Sequence, residues 1–268
     1  MLIKDWKIGG DWETFLRDKN TKEYVSAEGI AQGTKKQPFN FDKTDKFACT
    51  SLDNLSMEFN FAPATTASDF YHGIEKALRY IEKHIPENLE YTADPAVRFD
   101  EKYLQTDNAK LLGCEMDFNI WTGRPNPRPK TKGNNLRSCG AHITLGYENP
   151  NKILNAQWIK AMDLFVGIPS VIQEPDNERK ALYGSAGCYR NTNFGVEYRS
   201  TSNYLLKDKE LIMWAFDNTT KAIEFVNDGK VILLEEEADI IIAAINNNDK
   251  IMAKYMIDKY RIPMLMAA

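Results

Sequence analysis

Five short segments of this chain alternate in the same way, and together they restrict the fold to one built around a sheet with an apolar face and a face of ligand-forming residues. In Phe194-Gly195-Val196-Glu197-Tyr198-Arg199-Ser200, strand geometry puts Glu197 and Arg199 on one side and Val196 and Tyr198 on the other. Ser56 to Phe61 sets Glu58 and Asn60 against Met57, Phe59 and Phe61, and Cys114 to Ile120 aligns Glu115, Asp117 and Asn119. Gly10 to Phe15 aligns Asp11 with Glu13, and Gly140 to Leu145 aligns His142 with Thr144. One such segment reads equally well as a surface ion pair. An ordinary solvated sheet face would show more Lys, Thr, Ser and Gln, so the repetition of metal-ligand and phosphate-ligand types favours convergence on one site.

The chain has 268 residues and 43% apolar content, enough for a substantial core. No run approaches the roughly 18–20 apolar residues that span a bilayer, and Met1-Leu2-Ile3-Lys4-Asp5-Trp6 is amphipathic rather than a signal sequence, so a cytoplasmic protein is expected. Cys49, Cys114, Cys139 and Cys188 are scattered without CxxC or zinc spacing, which predicts reduced structural thiols. A formal charge of -4 argues against a broad nucleic-acid surface. The basic run Arg124 to Lys132 is a local exception; its prolines predict an exposed extended loop, either solvated or closing over an anion.

No repeat or low-complexity linker divides the chain, which predicts a single domain over 1–268. A helix is expected from about Ser68 to Ile85, with Phe70, Ile74, Leu78 and Ile81 on one face and Pro86 after it. A second is expected from Ala156 to Val166, stopped by Gly167 and Pro169. The C-terminal part, 208–262, reads as three helices: Asp208 to Val226, Glu236 to Ile245 and Asp249 to Tyr260. The implied class is α+β, a curved and mainly antiparallel sheet backed by helices, with a helical C-terminal third. His72 and His84 fall on the first helix as surface residues, and the tryptophans read as core.

Several carboxylates and an imidazole on one face repel unless cations neutralise them, and an oxygen-rich set with one nitrogen suits magnesium or manganese. Arginines among them imply an anionic guest, which Arg199 and Arg190 could grip through their forks of N–H donors. Gly184 and Gly187 would let backbone approach that guest. Glu58, flanked by Phe59 and Phe61, needs a cation if it faces inward, and a salt bridge to Arg199 is the alternative to a metal. His142 reads either as a hydrogen-bonded sheet histidine or as a ligand, and Asp117 either as a turn cap or as a site residue.

The stretches "MEFNFAPA", "GCEMDFNIW", "CGAHITLG" and "GVEYRSTSN", following Gly10-Asp11-Trp12-Glu13-Thr14-Phe15-Leu16 and joined by Tyr183 to Arg190, occur in an order that resembles the amidoligases. These are the carboxylate-amine ligases of the glutamine synthetase and glutamate-cysteine ligase superfamily, and the phage-type COOH-NH2 ligase family is the nearest in pattern. The motifs lie within 9–203 and leave the helical tail unmatched. The resemblance implies a sheet of the glutamine synthetase catalytic-domain type, and ATP with two or more Mg2+ or Mn2+ ions. It also implies a small-molecule or peptide carboxylate joined to an amine through an acyl phosphate, in the host cytoplasm if phage-encoded.

Carried over by motif, Asp11, Glu13, Glu58, His142 and Glu197 would be metal ligands. Arg199, Arg190 and Glu197 would be catalytic, Arg199, Arg190, Tyr183 and His142 would meet the nucleotide, and Asn60, Asp117 and Asn119 would hold substrate. Asp11 and Thr14 soften the family's first motif, and Thr144 stands where relatives often carry a second histidine. A metal-dependent phosphohydrolase, and a non-catalytic virion-associated binding protein on a ligase fold, are the rival readings.

Overall fold

A computed structural model describes residues 2–110, 117–127, 129, 135–175 and 178–265. Six strands carry the architecture: β1 (Lys7–Asp18), β2 (Cys49–Asp53), β3 (Ser56–Ala64), β4 (Ala141–Gly146), β5 (Cys188–Thr192) and β6 (Gly195–Tyr198). Among the described residues they belong to a twelve-stranded sheet in which these six follow the order β5-β6-β4-β1-β3-β2. The pairings among these six strands are all antiparallel. Among the described residues, a parallel pair enters only where Gly33–Thr34 meets β2. The sheet is therefore mainly antiparallel and the class α+β, as the alternation predicts.

The two faces differ as their residues dictate. Trp12, Phe59, Phe61, Ile143, Val196 and Tyr198 are buried in the main core, which helices cover. Helix α1 (Ala67–His84) begins at Thr66, whose side chain accepts the Asp69 N–H at 3.1 Å, and ends before Pro86. Its buried stripe of Phe70, Ile74, Ala77 and Ile81 lies on the sheet. The Trp12 ring meets Phe61 at 5.9 Å and Phe70 at 5.8 Å, both edge-on. Gly73 permits this approach, since a Cβ there would stand 3.2 Å from the Phe61 Cβ.

The second helix departs from expectation. It runs over α2 (Lys152–Met162), passes through a π segment at Asp163–Gly167, and continues as α3 (Ile168–Gln173). Gly167 and Pro169 do not stop it: the wider turn, with Ile168 N–H on the Asp163 carbonyl, leaves Pro169 at a helix start where its missing N–H costs little. The C-terminal helices α4 (Lys209–Asn227), α5 (Ala238–Asn246) and α6 (Lys250–Tyr260) lie within one or two residues of their predicted bounds, and Asp208 and Asp249 cap α4 and α6.

Arg124–Pro125 is exposed and extended as expected but forms a two-residue strand paired with Phe118–Asn119, across a turn in which the Gly123 N–H meets the Asn119 carbonyl. Arg128 and Lys130 to Lys132, like Cys114 and Glu115, lie outside the described residues. The described cysteines Cys49, Cys139 and Cys188 are free thiols. No helix among the described residues is long and apolar enough to cross a membrane.

Candidate functional site

Strand register assembles the site. Asp11 on β1 stands opposite His142 on β4 and Asn60 on β3, and Glu13 stands opposite Glu58. Glu58 in turn faces Ser51 on β2, while Glu197 on β6 faces Thr144 on one side and Arg190 on the other. Directly opposed residues share a face, so ligand-type side chains from six strands, in offset rows, gather on the side away from the main core.

Two groups result. Asp11, His142 and Glu197 offer ligand atoms within 4.8 Å of one another, and so do Glu13, Asp53 and Glu58. In the first, His142 Nδ1 lies 3.4 Å from Asp11 Oδ2 and 3.7 Å from Glu197 Oε1. Glu197 accepts from Arg199 and, at 2.9 Å, from Arg190 Nη2, while Arg199 Nε lies 3.6 Å from Asp117 Oδ2. In the second, Glu13 Oε2 accepts the Gly140 N–H at 2.8 Å, and Lys35 Nζ reaches Asp53 Oδ2 at 2.6 Å and Glu58 Oε2 at 3.7 Å. Lys35, not Arg199, is thus the cation beside Glu58, because Arg199, just past β6, turns to Glu197 two residues before it.

The electrostatics follow from packing acids together. Burial, then the negative charges of Asp53 and Glu58, hold the Glu13 carboxyl well above the usual range. Burial and Asp11 push Glu58 up to about 7. Burial raises Asp11 against the pull of Arg199 and Arg190. Burial and Arg199 hold His142 well below its ordinary value, so it is a neutral imidazole with a lone pair to offer. Acids that resist ionising beside a neutral imidazole are a donor set short of positive charge, and five carboxylates with one nitrogen fit hard divalent cations.

Beside these groups opens a cleft whose walls include Phe15, Leu55, Asp117, Ser138 and Tyr183. Buried Arg179 shapes it: its guanidinium donates to the carbonyls of Cys139 (3.2 Å), Ser200 (2.9 Å) and Thr201 (2.9 Å), tying the segment after β6 to the approach to β4. Gly184, at φ 82°, is required there, since a Cβ would fall 1.9 Å from Arg179 Nη1.

The strand pattern thus brings together Asp11, Glu13, Glu58, His142, Glu197, Arg190 and Arg199, and Tyr183 and Asp117 line the adjoining cleft. Asn60 stands half-buried beside Asp11. Asn119 has local partners: its amide donates to the Ala186 carbonyl at 2.8 Å and accepts from Trp121 N and Thr122 N. Asp53, Lys35 and Arg179 escaped the sequence reading. Asp53 had a usable signal, because Ser51-Leu52-Asp53-Asn54-Leu55-Ser56 reads as a hairpin that puts Ser51 and Asp53 on the Glu58 face. Arg179 had none, since its partners are distant in sequence.

The fold and site define an α+β protein with two adjacent acidic groups flanked by arginines on one sheet face. No protein-family profile matches the chain, and no curated protein matches it in sequence. Among solved structures it is similar to a bifunctional glutathione synthetase from Pasteurella multocida, at 11% identity and a TM-score of 0.44, over 96% of this chain and 49% of that one. The chain spans about half the length of that protein.

Proposed function

We propose that this protein is an ATP- and divalent-metal-dependent ligase that joins a carboxylate to an amine. One observation carries the reading: the two acidic groups stand side by side on one sheet face with Arg190 and Arg199 among them. The order of motifs along the chain supports the same reaction class. Asp11, His142 and Glu197 would hold one ion and Glu13, Asp53 and Glu58 another; such ions supply charge neutralisation for nucleotide phosphates.

In the reaction, a substrate carboxylate oxygen attacks the terminal phosphorus of ATP and the bond to ADP breaks. The amine nitrogen then attacks the acyl phosphate carbon, phosphate leaves, and the amine gives up a proton. Arg199 and Arg190 would grip the transferring group through bidentate N–H donors, which draws Arg199 away from Glu197 towards phosphate. Asp117, beside Arg199 and on the cleft wall, would hold the incoming ammonium and accept its proton. The substrates are a small-molecule or peptide carboxylate and amine.

The test is ADP formation with and without candidate amines. ADP release that rises with added amine, and falls by about 100-fold or more in Arg199→Ala and Glu197→Ala, supports the ligase. ADP release indifferent to amine points to the phosphohydrolase. Thermal stability unmoved by Mg-ATP, together with no ADP release, points to a non-catalytic binding protein.

A further inference from the structure

Lys35 belongs to the turn between the Gly33–Thr34 and Gln37–Asn40 strands, at the far edge of the sheet from β5. Its ammonium reaches back across β2 to Asp53 and Glu58. The hairpin that carries it is pinned. Gly33, at φ 83°, lies so close to its neighbours that a Cβ would meet Phe39 N at 2.4 Å and the Thr50 carbonyl at 2.7 Å. Phe39 and Phe41 stack on Tyr80 of α1, and the Tyr80 hydroxyl donates to Gln32 at 2.7 Å. A hairpin held at both ends delivers Lys35 to one place; both Lys35 and Lys36 are exposed, and what sets Lys35 apart is its ammonium 2.6 Å from Asp53 Oδ2.

We infer that Lys35 is a built-in counter-ion of the Glu13–Asp53–Glu58 group, and that it competes with a divalent cation for those carboxylates. The inference rests on the reading that this group takes a metal ion. Three carboxylates confined within 4.8 Å carry charge that the fold must offset, and an ammonium 2.6 Å from Asp53 offsets part of it. The same positive charge draws down the carboxyl groups of Glu13 and Glu58 against burial. An ion that enters must displace the ammonium or repel it at close range, so Lys35 stabilises the metal-free fold and weakens the ion's hold. Among the described residues, the Asp11–His142–Glu197 group draws its close counter-charges from the arginines Arg190 and Arg199 at Glu197, and Lys35 acts on Asp11 only as a weaker charge behind both arginines.

The test is a Mn2+ titration of the full chain without nucleotide at pH 8, read by the electron paramagnetic resonance of free Mn2+ and by thermal melting with and without the ion. Lys35→Met is expected to tighten Mn2+ binding at one site by about tenfold or more and to lower the melting temperature of the metal-free protein. Lys35→Gln, which keeps a polar side chain at the turn, gives the same comparison should the methionine disturb folding. Lys36→Met removes equal charge from the same hairpin and should match wild type, which separates local competition from net charge. Two Mn2+ sites in wild type with unchanged or weaker binding in both Lys35 variants would overturn the competition and leave the metal reading standing. No Mn2+ binding in wild type or any variant overturns both.

Discussion

Glu13 and Glu58 stand directly opposite each other on adjacent strands, so two carboxylates, one buried and the other with only 13% side-chain exposure, point to the same side of the sheet. With Asp53 alongside, the arrangement opposes folding unless protons, Lys35 or metal supply positive charge. The polar face is therefore a place where stability and function pull against each other, and the first predictions follow from that.

Removing one of these acids should stabilise the metal-free protein in a pH-dependent way. Glu58 has a folded pKa of about 7 against an ordinary value of 4.5, so the folded state keeps a proton that the unfolded chain loses between those values. Its contribution is neutral below the lower value, grows more unfavourable as pH rises through the window, and is constant above about 7. Glu58→Gln should then exceed wild type in stability by a margin that opens from near pH 4.5 and levels off at about 3 kcal/mol above pH 7. Urea unfolding of both proteins across that range checks it. The neutral buried His142 acts in the opposite direction below its ordinary value, but it is common to both proteins and drops out of the difference.

Metal binding should release protons near neutrality. An entering ion lowers the affinity of Glu58 and Glu13 for protons, so protons held by the metal-free protein at pH 6.5 leave as the ion binds. Calorimetric titration with Mg2+ or Mn2+ in buffers of different ionisation enthalpy should report this release. Apparent affinity should rise with pH through about 7. A buffer-independent heat at pH 6.5 contradicts it.

On the other side of the sheet, Asp163 accepts from Trp121 Nε1 at 2.6 Å and from the Tyr198 hydroxyl at 2.7 Å, and burial pushes its carboxyl up to about 6. Tyr198 follows Glu197 on β6, so this bond fixes the strand that presents Glu197 to the site. Asp163→Ala strands two donors and should cost about 3 kcal/mol in equilibrium unfolding, with Asp163→Asn costing less because it keeps one acceptor.

Trp12 is fully buried between β3 and α1, where its ring meets Phe61 and Phe70. Trp12→Ala should lose about 3–5 kcal/mol of stability, a large share of what a typical domain has. A denaturation midpoint close to wild type would show that this aromatic junction is not a keystone of the core.

The sequence was most informative where local physics decides. Period-two alternation identified the site face of β1, β3, β4 and β6, because consecutive strand side chains must point to opposite sides. Helical periodicity located α1, α4 and α6, and the structure adds Thr66, Asp208 and Asp249 as their caps. The same local rules misjudged α2, since Gly167 and Pro169 are breakers only of a regular α-helix and a π turn absorbs them. Nor do they show that the Asn119 amide is engaged by a turn, which depends on Ala186, distant in sequence.

By itself, then, the sequence determined which residues could share a face and which segments would be strands or helices, because both follow from neighbours along the chain. Only the tertiary structure decided which strands lie side by side, and with that the division of the acids into two groups, the entry of Asp53 and Lys35 into one of them, and the pairing of Glu197 with Arg190 across β5 and β6. Those outcomes depend on register between segments far apart in sequence, which is settled by burial of the opposite, apolar face under the helices.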